Sequence, residues 1–520
     1  MPLLQSDDIN VYSDMIKCDS RPKMKYGGFE SMQESSSKDR LHRTNGSVIP
    51  LLDKVGYGSG NLTYGIVFQL VATYVVFYST AILGVPGSII GTVVGLSVIW
   101  DGVSDPLMGY ISDYTRFRRF GRRHFYLLSG CMLIAVSNYF LWVIDPGLST
   151  GLKTAYLAIL LFVIKTAMTI YSVPHTALGA ELSDDYNERS SIQGIKTIFF
   201  ILGLFGATVM GMFLFFNPTP EYSQGQLNPA AYRNMGLTSS VIALVFGLVC
   251  FFSTKKYIQY LPMPDDKGGS DHEKKGSILN DVKQAFSNAD YRLVVTGYLL
   301  TNIASALISS IGMHVFTYTF QFNNTAIAVI FGVLFGMCVL SQLVWVKIST
   351  MLDKKRTVVS GLSASLLGAL YFLVLVFFRD AVTGKVLYFI PFAALSGFGM
   401  GGLFSLPLSM IADTIDVEEL STGFRNEGVF YGCMTLCYKL SQAVAIFLLG
   451  ILLDLVGFDA EAVSQPRATL MTLGLILAIG CIVSLVAAML AYSGYSLNKQ
   501  KVESIQRQIQ ERQQKTNSKN

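Results

Sequence analysis

"PMPDDKGGSDHEKKG", residues 262–276, is the longest polar interruption in an otherwise apolar chain, and its position decides the architecture. Before it lie six apolar runs, at 66–84, 88–108, 125–143, 154–176, 197–216 and 237–254. Six more follow, at 294–318, 326–346, 358–378, 387–408, 429–453 and 470–492. Each is close to the roughly 20 residues a helix needs to cross a bilayer. The expectation is an all-α membrane protein with twelve transmembrane helices in two six-helix halves. Composition points the same way. Only 14% of the 520 residues are Asp, Glu, Lys or Arg, against about 25% in a soluble domain, and the mean hydropathy is +0.45. So little charge cannot cover a soluble surface. A disordered chain, a coiled coil, collagen and a nucleic-acid-binding domain are excluded on the same ground.

The expected organisation has a disordered cytoplasmic tail at 1–54 and an N-terminal six-helix half at 55–254. A cytoplasmic central loop at 255–290 leads to a C-terminal half at 291–494 and a polar cytoplasmic tail of helical character at 495–520. The first 50 residues lack the apolar core of a signal peptide. Of the 40 Lys and Arg residues, 33 fall in the tails, the central loop and the loops on that same side. Lys153, Arg233, Arg379, Lys385 and Arg467 fall on the other side, and Lys165 and Lys439 lie inside spans. The positive-inside rule then makes both termini cytoplasmic in a multi-pass protein of the cell membrane. The net charge of +5 is thereby an orientation signal, and no nucleic acid is needed to account for it. Two halves of six joined by a long loop match the layout of major facilitator transporters.

Six of the seven cysteines lie in apolar runs, with no CxxC pair and no His-supported spacing, so neither a disulfide framework nor a metal centre is expected. No nucleophile elbow or phosphate-cradling loop occurs, so the chain is not expected to be an enzyme or to carry a cofactor.

Inside the apolar runs a charge costs about 2.5–3.5 kcal/mol on insertion scales, which makes the few present informative. Asp101 and Asp105 in "WDGVSDP" are four residues apart and share one face of span 2. Neighbouring carboxylates repel, and a bound cation or proton relieves the repulsion. Oxygen ligands suit a hard ion such as sodium, and a neutralising Lys or Arg serves bundle stability instead. Lys165 on span 4 shares a face with Thr169 and Ser172. It either pairs with Asp101 or Asp105 where a metal ion would lie, takes part in proton coupling, or faces another cavity. Lys439 on span 11 can meet the aspartates from the opposite half or hold the solute. His175, after Pro174, either lines the cavity or packs. His314 on span 7 is a weaker candidate.

Four segments carry a resemblance: "YGSGNLTYG" (57–65), "WDGVSDPLMGYISDYTRFRRFGRRH" (100–124), "YSVPHTALGAELSDDYNERSSI" (171–192) and "ADTIDVEELSTGFRNEGVFYG" (412–432), the last followed by Lys439. They resemble the melibiose-permease-like glycoside–pentoside–hexuronide:cation symporter family of the major facilitator superfamily, to which the sodium-dependent lysophospholipid symporters are distantly related. The resemblance runs from about Lys54 to about Tyr495. It implies cation-site roles for Asp101, Asp105, Ser104 and Thr169, and a coupling role for Lys439. It also implies a gating set of Gly109, Asp113, Arg122, Arg123, Asp413, Asp416 and Arg425, whose basic loop makes salt bridges between the halves in the outward-open state. The family's sugar-holding aspartates on spans 1 and 4 are absent. Their best-matching positions are Gly65 and Ser172, and Asn61 stands where many relatives carry Asp. Candidate solute contacts are therefore Asn61, Tyr64, Ser172 and His175. Lys165 replaces a small residue beside the family's cation site.

The resulting expectation is a monomeric secondary transporter, coupling sodium or a proton to symport of a small polar solute across the lipid bilayer. A sugar or glycoside, a pentoside or a hexuronide is the first choice. A lysophospholipid symporter is the alternative, and a non-transporting solute sensor is the second.

Overall fold

A computed structural model describes residues 49–115, 117, 120–183, 186–261, 278–404, 406–423, 427–459 and 465–517. The expected tail 1–54 lies mostly outside these residues, as does the central stretch 262–277. Among the described residues, twelve helices are long and apolar enough to cross a membrane. Spans 1 to 6 are Leu51–Ile82, Gly87–Tyr114, His124–Leu141, Thr150–Gly179, Ser191–Phe215 and Pro229–Lys255. Spans 7 to 12 are Ala289–Thr319, Asn324–Ser349, Lys354–Phe377, Val386–Thr422, Gly428–Leu455 and Arg467–Ser493. No strand occurs among the described residues.

Helix starts follow local chemistry. Asn288 and Asn323 cap spans 7 and 8 by accepting hydrogen bonds from Tyr291 N and Ala326 N, and Asn228 caps span 6 with Pro229 directly after it. Such caps satisfy backbone N–H groups that a helix leaves unpaired. On span 6, Val241, Val245 and Val249 stay exposed at every fourth position, the pattern of a helix face turned to lipid.

Boundaries differ from the sequence reading: span 1 starts at Leu51 rather than near 66. Span 10 does not end near 408 but continues through a 3-10 turn at Gly402–Phe404 to Thr422, so the polar "ADTID" segment is helical. Between the halves, Ile278–Ser287 forms a short amphipathic helix, and Lys499–Asn517 forms another after span 12.

The halves repeat each other in packing. In the first, spans 1 and 5, 1 and 6, 2 and 4, 3 and 4, and 3 and 6 are in contact. In the second, 7 and 11, 7 and 12, 8 and 10, 9 and 10, and 9 and 12 are in contact, the same pairs shifted by six. Across the middle, span 2 lies on span 11, span 5 on span 8 and span 1 on span 7. Internal repeats of this kind are a feature of many transporter folds.

The halves are tied together at the end of the bundle opposite the start of span 1. There Asp454 Oδ1 accepts from Gly87 N at 2.7 Å and its Oδ2 from Ser88 N at 2.8 Å. Thr80 Oγ1 lies 2.8 Å from His314 Nε2, and Gln226 Nε2 donates to Phe322 O at 2.8 Å. Spans 2 and 11 come so close that a Cβ at Gly450 would lie 2.2 Å from Gly87 O. Small residues permit this approach between membrane helices.

Candidate cation and solute site

Midway along the bundle, span 2 turns Asp101, Ser104 and Asp105 toward spans 4 and 11. The helical spacing places the two carboxylates one turn apart, and span 4 brings Thr169 between them. Thr169 Oγ1 lies 3.0 Å from Asp101 Oδ1, 2.9 Å from Asp105 Oδ1 and 3.1 Å from Ser104 Oγ. Its single hydroxyl proton serves one acceptor at a time.

Lys439 arrives from span 11, in the other half. Its Nζ lies 2.5 Å from Asp105 Oδ2, 3.1 Å from Asp101 Oδ2 and 3.1 Å from Asp101 O. At Gly102 a Cβ would lie 3.2 Å from Leu436 Cδ1 and in ordinary contact, 3.8 Å, with Lys439 Cδ. Lys165 Nζ lies farther off, 4.0 Å from Asp101 Oδ2, and 5.7 Å from the centre of the Phe68 ring. Asp101, Lys165 and Lys439 are buried. Two carboxylates and two ammonium groups sum formally to zero. Mutual pairing offsets a desolvation cost that none of these charges could bear alone.

Beside this cluster is a cavity with about 480 Å³ of empty space, part of it continuous with solvent. Phe68, Val94, Val98 and Ile446 contribute apolar lining, and Tyr64, Asp101, Lys165, Tyr438, Lys439 and Gln442 contribute polar groups.

The structure brings together Asp101, Ser104, Asp105, Thr169, Lys165 and Lys439, and places Tyr64 on the cavity wall. It does not bring Asn61, Ser172 or His175 there. Asn61 faces span 5, where its Nδ2 donates to Lys196 O at 3.1 Å. Ser172 is half-buried and not part of the cavity lining. His175 is sealed between the rings of Tyr57 and Tyr171, at 4.5 and 5.5 Å, with Nε2 3.0 Å from Tyr57 O. It is packed within the first half, on the helix Thr150–Glu181 that also carries Pro174. His314 likewise lies in the far-end seal, outside the cavity.

Among the described residues of the expected gating set, the ion pairs lie within each half, in a conformation whose far end is closed. Arg123 Nη2 lies 2.5 Å from Asp113 Oδ1 and 2.7 Å from Glu181 Oε1, and Arg122 Nη2 lies 2.9 Å from the same Glu181 oxygen. Gly109 packs toward Val173 of span 4. In the other half Lys354 holds Asp413 at 2.7 Å, and Gln506 Nε2 donates to Asp416 at 2.9 Å. With the bundle closed at its far end, the near-end arginines find acceptors on their own side. Arg425 lies outside the described residues.

Sequence reasoning missed Phe68, Tyr438, Gln442, Glu181 and Asp454. Phe68 is one turn beyond Tyr64 and Gln442 three residues beyond Lys439, so helical spacing alone could have proposed both. Glu181 and Asp454 sit at span ends, where a charge carries no signal of its own.

The family described as MFS/sugar transport protein matches residues 56–499. The inner membrane symporter YicJ of Escherichia coli (strain K12) is 26% identical over 89% of this chain and 95% of its own. Sodium-dependent lysophosphatidylcholine symporter 1 of Gallus gallus is 24% identical over 81% of each chain. A crystal structure of a D-xylose-proton symporter aligns with 84% of this chain and 96% of its own, at a TM-score of 0.58 and 12% identity. That last likeness shows a shared fold.

Proposed function

The chain belongs to the MFS/sugar transport protein family, and from that premise we propose a cation-coupled secondary symporter of a small polar solute, lying in the cell membrane with both termini in the cytoplasm. The glycoside, pentoside and hexuronide class is the first choice of solute, and sodium or a proton is the coupling ion. The observation that carries the reading is the meeting of Asp101 and Asp105 with Lys439 across the two halves, beside the cavity. Ion and solute then act on the same contact between the halves. Each favours the arrangement that the other favours, which is what coupling requires. Rocking of the halves about this contact moves the cavity from one side to the other. In the conformation described, Asp454, Thr80 and His314 join the halves at the end opposite the start of span 1.

Asp101, Asp105, Ser104 and Thr169 supply the oxygen atoms for a cation, and Lys439 must yield part of its hold when one enters. The apolar lining of Phe68, Val94, Val98 and Ile446 favours a second reading, transport of a lysophospholipid or a related lipid. Uptake into proteoliposomes of a galactoside, a pentoside, glucuronate and lysophosphatidylcholine, each under a sodium or a proton gradient, separates the readings. Accumulation above the bath concentration with one gradient is expected. Equilibration alone, under every gradient, would contradict symport.

A further inference from the structure

Within the symport reading, on which this inference rests, we propose that the solute is an organic monocarboxylate held by Lys165, and that each cycle carries it together with one monovalent cation, electroneutrally. The first ground is the state of the hydrogen-bonding groups. Every carboxylate oxygen of Asp101 and Asp105 lies within 3.1 Å of a donor, from Thr169 or Lys439. A neutral polyol needs acceptors for its hydroxyl protons, and on these carboxylates it competes with the ammonium of Lys439 and the one proton of Thr169. Lys165 is the contrasting case. It is 4% exposed, lines the cavity, and has as its nearest charged partner Asp101 Oδ2 at 4.0 Å, beyond hydrogen-bond distance. A buried ammonium carries three donors and no acceptor, and a carboxylate satisfies them with charge-assisted bonds. The hydroxyls of Tyr64 and Tyr438 and the amide of Gln442 add donors to the lining. Phe68, beside Lys165, and Val94, Val98 and Ile446 in the same lining suit the apolar face of a ring or short chain.

The second ground is the sum of charges. Asp101, Asp105, Lys165 and Lys439 total zero in the empty site. A monocarboxylate alone brings the buried total to minus one, and a cation alone to plus one. Only the empty and the doubly loaded sites are neutral, and a net charge deep in a membrane protein is costly. Reorientation with one ligand missing is thereby suppressed on the order of 100-fold, which couples the two fluxes without any further device. The resting contribution of Lys165 distinguishes this site from one with a small residue at that position. A site without Lys165 totals minus one when empty and is neutral with a cation and an uncharged solute.

Matched probes test both halves of the proposal in proteoliposomes of the full chain: glucuronate against glucose, and phenylacetate against phenylacetamide. At least one acid is expected to be bound and accumulated, with its neutral counterpart weaker by about 10-fold or more. The initial rate is expected to be the same at zero and at inside-negative membrane potential. Lys165→Gln is expected to lose about 10-fold or more of the acid's affinity, and Lys165→Arg to retain it within a few fold. The wild-type comparisons stand even if both variants misfold. Equal binding of acid and neutral partner, failure of both acids to bind, or an unchanged Lys165→Gln would overturn the proposal. Potential-dependent accumulation of a neutral probe overturns it while leaving symport intact. Acid uptake that never exceeds the bath under any cation gradient overturns symport itself, and the charge pairing with it.

Discussion

Lys439 on span 11 reaches across the boundary between the halves to within 2.5 Å of Asp105 on span 2. The contact is part of the site and part of the interface, so a ligand that disturbs one disturbs the other. Breaking a buried ion pair by removing one partner costs about 3–5 kcal/mol, whereas removing both costs far less. Lys439→Met alone is therefore expected to destabilise the folded protein by about 3 kcal/mol. Asp105→Asn with Lys439→Met is expected to recover much of that loss. Thermal unfolding in detergent, arranged as a double-mutant cycle, measures the coupling, and strictly additive effects would show that the pair is not a working contact.

Thr169 touches both carboxylates and Ser104. Thr169→Val keeps the shape and removes the hydroxyl. The expected result is a normally folded protein whose apparent cation affinity falls about 5- to 10-fold, the worth of roughly one hydrogen bond. Cation titration of uptake reads this, and an unchanged titration would remove Thr169 from the cation site.

Gly450→Val pushes a side chain into Gly87 O and the backbone of Gly91, 2.2 and 2.9 Å from the position of its Cβ. The closed far end cannot hold that bulk, so the population is expected to shift toward a conformation open there. Spin labels at Leu148→Cys and Leu387→Cys, both exposed near that end, should report a longer distance in Gly450→Val than in its parent.

Arg123 donates to Ser112, Asp113 and Glu181 within one small network. Arg123→Ala leaves these acceptors short of donors and is expected to cost about 2–4 kcal/mol of stability in the first half. Arg123→Lys should restore only part, because a single ammonium cannot reproduce the planar fork. Melting temperatures of the two variants give the comparison.

The spans were legible because a bilayer allows few alternatives, and a polar break such as 262–276 stands out against apolar runs. Asp101 and Asp105 were legible for the same reason, since a charge inside such a run is rare enough to notice. Which lysine meets them was not. The residues left both Lys165 and Lys439 open as partners, and Lys439 takes the short contacts because span 11 lies directly on span 2, a fact of tertiary packing. His175 misled because a buried, ring-stacked histidine and a cavity-lining one look alike in one dimension. The basic loop was expected to bridge the halves in the outward-open state; in the conformation described, Arg122 and Arg123 pair with Glu181 of their own half. The glycines at 87, 91 and 95 were readable as a stripe at helical spacing, but nothing local said which helix would lie against it.

The central claim is that Asp105 links the cation to the movement of the solute. The measurement is concentrative uptake by Asp105→Asn proteoliposomes, under an imposed cation gradient, of the solute that the parent accumulates. Folding is checked by size-exclusion profile and melting temperature. The expected result is a folded protein in which the gradient no longer drives accumulation above the bath. Accumulation by Asp105→Asn to the parent's level would contradict the claim.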